Sequence, residues 1–223
     1  LFAGNYQSGY YDSSTFLGNP NIEFRGNISI NRSPLNFGTG LVTFGGTIQL
    51  FIPLQTNVLF NNVVIKNNTT LNLGGSSGGR MIIGNYITGI GSSSVLNMVS
   101  GSFIELKSTT IPGVFNYNIN NTTIGYTFNG NYTLPYTSYK SLFIEGGGIK
   151  TLSNNTIIDG NLNANGLQCA SFDLTVNGGT IPITLGLLKS GSGTLIFIGQ
   201  FGGAYTDYFN FSGNPNIEFR GNV

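Results

Sequence analysis

The sequence predicts an all-β fold built by repetition. Three observations carry that prediction: a ten-residue string that recurs unchanged far along the chain, short β-branched and aromatic runs punctuated by Gly, Asn and Ser, and a lack of helical periodicity. The string is GNPNIEFRGN. It occupies residues 18–27 and returns at 213–222, an offset of 195 residues. Extended backward without a gap, the same register pairs Phe2 with Phe197, Gly4 with Gly199, Tyr6 with Phe201, Tyr10 with Tyr205 and Phe16 with Phe211. Of the 28 overlapping residues, 15 are identical. The expected organisation is therefore residues 1–28 as the end of one repeat and its junction, 29–195 as the remainder of a 195-residue period, and 196–223 as the start of the next copy. Because the overlap stops only where the sequence stops, the expectation is a slice of a longer chain of copies.

The strand prediction rests on runs such as Leu41–Ile52, Val58–Lys66, Val95–Leu106, Ser141–Glu145, Phe172–Val176 and Thr194–Ile198, each rich in residues that fit a pleated, half-buried surface. The helix formers Ala, Glu and Lys are scarce, which removes the alternative. Two all-β architectures fit: stacked β-sandwich repeats and a parallel β-solenoid, in which each coil of chain stacks on the last. A 195-residue period is long for an immunoglobulin-like module of about 100 residues, and with no Trp the buried tryptophan of that fold cannot exist. The reading therefore favours the solenoid. The 30 Asn and many Thr fit it too, since like polar side chains form ladders when strands stack at about 4.8 Å. Coils of roughly 20 to 25 residues would give on the order of 40 Å of length per period.

Charge narrows the function classes. Charged residues make up 8% of the chain, nine basic against eight acidic, and they are scattered. Nucleic-acid binding needs a clustered basic surface and is excluded. No apolar run reaches the roughly 18–20 residues of a membrane-spanning helix. The opening residues LFAGNYQSGYY lack the regions of a signal peptide, so an export signal is expected to lie outside this stretch. At 39% hydrophobic and 13% aromatic, the chain nevertheless has ample material for a core.

Catalysis is not expected. There is no His, which removes imidazole-based triads and imidazole metal sites, and the single Cys169 reads as a small buried apolar residue. Asp159 and Asp173 are spaced so that one coil would bring them close, but each reads as a turn or strand-edge residue rather than half of a catalytic carboxylate pair. GGSSGG at 74–79, followed by Arg80, lacks the lysine and the helix of a phosphate loop and reads as a turn. No cofactor or metal is expected.

The junction holds the candidate contact residues. Tyr10, Tyr11, Tyr205 and Tyr208, with Phe16 and Phe211, are read as packing between neighbouring repeats, with stacking on surface glycans as the alternative. Glu23 and Arg25, repeated as Glu218 and Arg220, alternate along a strand and share one face, where they bridge to an adjacent copy or form a solvated pair. Sequons at Asn27, Asn131 and Asn210 are what so Asn- and Thr-rich a chain contains by composition.

Residues 36–75, NFGTGLVTFGGTIQLFIPLQTNVLFNNVVIKNNTTLNLGG, resemble repeats of giant secreted surface proteins of gliding bacteria, which run through a GTGxVTFxG segment, an FNNLxI phrase and a TLxLGG ending. The corresponding residues are Gly38–Gly45, Phe60–Ile65 and Thr70–Gly75. A second stretch within 139–178, including SLFIEGGGIKTLSNNTIIDGNLNANG, looks like the same family's strand phrases. The resemblance implies an exported protein of the filamentous or gliding-adhesin type, secreted by a type IX route, with structural repeats. The sequence reading is thus a structural module of an extracellular filament or cell-surface adhesin, partnered by adjacent copies of itself. A glycan-binding adhesin or phage tail fibre is the alternative, and a β-helix polysaccharide enzyme the third.

Overall fold

The computed structural model describes residues 1–7, 14–30, 34–52, 56–75, 79–98, 101–108, 116–118, 122–178, 185–188, 192–199, 209–212 and 216–221. Among these residues every regular element is a β-strand and there is no helix. The chain is a parallel β-solenoid, and it divides into two compact units, Leu1–Thr122 and Thr123–Val223. The division falls inside the expected 29–195 stretch, not at a period boundary.

In the first unit each coil visits three faces in turn. The first face stacks Tyr6–Gln7, Ile28–Ser29, Thr47–Ile52, Thr70–Gly75, Val95–Met98 and Asn116–Asn118, every neighbour parallel. The second stacks Ser14–Thr15, Leu35–Asn36, the start of Asn57–Ile65, the start of Arg80–Gly89 and Phe103–Leu106. The third stacks Ile22–Phe24, Leu41–Phe44 and the ends of the same two long strands. Register sets the coil length. Ile22 faces Val42, twenty residues on, and Leu71 faces Leu96, twenty-five residues on.

The second unit repeats the plan with coils of seventeen to twenty-four residues. Its three stacks are Thr123–Tyr126 with Ser141–Ile144 and the start of Leu162–Gln168; Tyr132–Leu134, Lys150–Leu152, the end of Leu162–Gln168, Leu185–Leu188 and Phe209–Ser212; and Ser138–Tyr139, Thr156–Ile158, Leu174–Val176, Thr194–Phe197 and Asn216–Phe219. Ile124 faces Leu142 after eighteen residues and Leu174 faces Leu195 after twenty-one.

Alternation decides what points inward. Val42, Phe44, Val63, Ile65, Leu71, Leu73, Leu96 and Met98 sit at alternate positions and are buried, while their neighbours along each strand are partly exposed. Coil on coil, like residues meet like. Phe16, Phe37 and Phe60 form a stack with centroids 4.9 and 4.7 Å apart and planes within 9°, close to the strand spacing itself.

Corners are made by two devices. Asparagine carbonyls accept backbone N–H groups of the next coil, as Asn21 does from Leu41 at 3.1 Å, Asn129 from Gly147 at 2.7 Å and Asn131 from Ile149 at 2.9 Å. Glycine admits the left-handed turn elsewhere: Gly46, at φ 93°, breaks the expected Leu41–Ile52 run into Leu41–Phe44 and Thr47–Ile52. Gly101, at φ 84°, likewise separates Val95–Met98 from Phe103–Leu106 in the expected Val95–Leu106 run. The opposite happens at Asn57–Ile65, which runs through a corner as one nine-residue strand because Asn61 and Asn62 both donate to the Thr39 carbonyl of the coil before.

Candidate functional site: the repeated rung

Over the described residues 216–221, the second copy of the repeated string makes the same backbone pairing as the first. In the first unit Phe2 and Phe24 form a parallel bridge, Arg25 N–H donates to the Phe2 carbonyl at 2.9 Å, and the two rings stack at 5.2 Å with planes 16° apart. In the second unit Phe197 faces Phe219, Arg220 N–H donates to the Phe197 carbonyl at 2.8 Å, and the rings stack at 5.6 Å and 20°. Outside each strand the arginine Nε donates to the glutamate Oε1 at 2.7 Å, from Arg25 to Glu23 and from Arg220 to Glu218. All four predicted Glu and Arg residues are therefore brought together in pairs, each within its own copy.

In the first copy the pair grows into a triad. Lys66, 43 residues along the chain, donates to the same Glu23 Oε1 at 2.7 Å, and the three line a groove of about 410 Å³ with Gly45, Gly46, Asn67 and Thr69. Hydrogen bonds from Lys66 and then Arg25 hold the Glu23 carboxyl below its ordinary range. The hydrogen bond from Arg220 does the same for Glu218, and Glu218 raises Arg220 in return. A second triad joins Glu105 to Arg80 at 3.2 Å and Lys107 at 3.6 Å, with Arg80 also lying over the Phe103 ring. Glu23, Arg25, Lys66, Arg80, Glu105 and Lys107 are all the charged side chains described in the first unit, so each of its described acids lies between two bases.

Of the aromatic junction candidates, Phe16 is half-buried in its stack with Phe37, and the Phe211 backbone pairs with Leu187. Tyr10, Tyr11, Tyr205 and Tyr208 lie outside the described residues. Cys169 is buried. Asp159 and Asp173 each serve a corner: Asp159 accepts from the Asn177 amide at 2.8 Å, and Asp173 accepts from Thr194 N–H at 2.6 Å. Within GGSSGG, residues 76–78 lie outside the described residues, and the adjoining Arg80 is engaged by Glu105. Asn27 and Asn131 are exposed.

Sequence reasoning missed Lys150. Its side chain points into the coil, completely buried, and Nζ donates to the carbonyls of Phe128 at 2.8 Å, Gly130 at 3.0 Å and Gly147 at 3.1 Å while lying 4.5 Å from the Phe128 ring centre. Burial pushes the amine below the ordinary lysine value. Two of these acceptors belong to the preceding coil, so the lysine clamps one coil to the next. The signal was present: Lys150 and Leu152 are alternate positions of one strand, and an inward leucine implies an inward lysine.

Among the described residues no group of three or more His, Cys, Asp and Glu is placed to hold a metal, and no helix is long and apolar enough to cross a membrane. No family model matches the chain, and neither a curated protein nor a solved structure does.

Proposed function

We propose that the chain is a structural repeat of a long extracellular filament or cell-surface adhesin, in which covalent tandem copies give length and stacked coils give stiffness. The observation that carries this reading is the repeated rung: two segments 195 residues apart build the same bridge, ring stack and outward ion pair. A sequence that rebuilds one cross-coil interface at a fixed interval is suited to elongation, because each coil pairs its backbone with the coils directly before and after it. Export to the cell surface is the part of the proposal that rests on the resemblance to gliding-bacterial surface repeats.

The test is to join two, three and four periods in one chain and measure particle length by electron microscopy. Each added period should lengthen the particle by a constant increment, on the order of 40 Å. Compact particles whose longest dimension does not grow in step with copy number would refute the reading.

A further inference from the structure

The second unit carries a cleft of about 180 Å³ lined by Thr123, Ser141, Leu142, Phe143, Asn161 and Asn163. Register explains how it forms. Leu142 and Ile144 point inward, so Ser141 and Phe143 point outward from the middle strand. Thr123 stands opposite Ser141, Gly125 opposite Phe143, and Phe143 opposite Asn163. Asn161 joins the Ser141 row, its backbone N–H donating to Ser141 Oγ at 3.1 Å. Outward positions thus make two rows across three strands, Thr123–Ser141–Asn161 and Gly125–Phe143–Asn163. They span about 10 Å at the ordinary strand spacing. Gly125 brings no side chain to its row.

The chemistry of the lining is specific. One aromatic ring supplies an apolar wall; two amides and two hydroxyls surround it; no ionisable side chain takes part. Many asparagines of this chain are committed to the next coil, as Asn21, Asn129 and Asn131 are, or to one another, as Asn85 is to Asn62 at 2.7 Å. The side-chain amides of Asn161 and Asn163 make no hydrogen bond among the described residues, and their donors and acceptors border the cleft.

We propose that this cleft binds one residue of a neutral glycan chain. A pyranose has an apolar C–H face to lay on Phe143 and hydroxyls around its edge that match amides and hydroxyls in both donor and acceptor roles. The volume lies below the roughly 300–1,000 Å³ of sites for drug-sized ligands, which limits occupancy to about one ring. No cationic side chain lines the cleft to neutralise an anionic sugar. The proposal needs only this face of the second unit and stands apart from the filament reading.

Affinity electrophoresis of the whole chain tests it, in native gels containing dextran, galactomannan or soluble starch, with alginate as the polyanionic comparison. At least one neutral polysaccharide should retard the protein, and the Asn161→Ala/Asn163→Ala variant, with an unchanged thermal midpoint, should bind it about tenfold more weakly through loss of two hydrogen bonds. Phe143→Ser should abolish retardation. The proposal is overturned if none of the neutral polymers retards the protein, if alginate alone does, or if the double asparagine variant binds as tightly as the parent.

Discussion

Replacing Gly160 with alanine tests how tightly the coils are locked at a corner. An alanine Cβ there would stand 2.5 Å from the Lys140 carbonyl oxygen and 2.6 Å from Ser141 Oγ, both in the preceding coil. The serine hydroxyl can rotate away. The carbonyl cannot, because it already accepts the Gly160 N–H. Reaching an ordinary contact of 3.4 Å requires the coils to part by about 0.9 Å. That movement would stretch Asp159 N–H to the Tyr139 carbonyl, now 2.9 Å, and Asn161 N–H to Ser141 Oγ, now 3.1 Å, beyond hydrogen-bonding range. Two lost bonds at about 1 kcal/mol each, with some loss of packing, exceed the roughly 0.4–1 kcal/mol that alanine gains by restricting the unfolded chain. The expected net loss is about 2 kcal/mol. Gly147→Ala is the matched control, since its Cβ would meet only the end of the Asn129 side chain, at 3.2 Å, and neither glycine has a positive φ. It should stay within about 0.5 kcal/mol of the parent. Urea unfolding followed by circular dichroism gives the shift, and hydrogen exchange over residues 140–161 shows where it arises, which matters because coils of a repeat array can open locally. If Gly160→Ala shifts the midpoint no further than Gly147→Ala, the coils are not locked as described.

Two further substitutions probe buried groups. Lys150→Met keeps an unbranched apolar side chain but removes the ammonium donor from the Phe128 and Gly130 carbonyls in a buried corner, while the Gly147 carbonyl still accepts the Gly130 N–H; it should cost about 2–3 kcal/mol and raise exchange at residues 128–150, measured by the same two methods. For Tyr139, burial pushes the phenol from 10.0 up to about 12, so the unfolded chain releases its proton first and stability present below pH 10 is lost as pH rises towards 12, by about 3 kcal/mol in all. Tyr139→Phe should remove that part of the alkaline loss, which denaturation midpoints collected between pH 9 and 12 will reveal.

Much of this architecture is legible in the sequence because it follows from short-range rules. The solenoid's inward positions come from alternation, and coils of 20 to 25 residues match the first unit's register from Ile22–Val42 to Leu71–Leu96. Where the reading ran two strands together, at Leu41–Ile52 and Val95–Leu106, the overlooked element was a glycine whose positive φ turns the corner. The second unit also contains tighter coils than expected, such as Thr151 facing Gln168 after seventeen residues. The ion-pair partners were out of reach for a different reason. Glu23 meets Lys66 across 43 residues and Arg80 meets Glu105 across 25, and such meetings depend on summed coil lengths that no local pattern fixes. The cleft at Phe143 has the same origin: Gly125, Phe143 and Asn163 form a row only once the register is set.

The distribution of identity between the two copies of the repeat has a physical reading. Several of the ten identical residues make contacts to neighbouring coils in the first copy. Asn19 and Asn21 accept hydrogen bonds from Thr39 and Leu41 N–H in the following coil. Phe24 stacks on Phe2 of the coil before and on Phe44 of the coil after. Glu23 holds Arg25 on its own strand and Lys66 further along the stack. Gly26 lies so close to the Gly4 backbone that no side chain fits, and Gly4 and Gly26 reappear as Gly199 and Gly221. Elsewhere in the overlap exchange occurs with hydrophobic character retained: Leu1 becomes Ile196 and Tyr6 becomes Phe201. A residue constrained from both sides has few substitutes, because a change that satisfies one neighbouring coil must also satisfy the other. The strict identity at 18–27 thus coincides with cross-coil contacts and lies away from the division between compact units at Thr122.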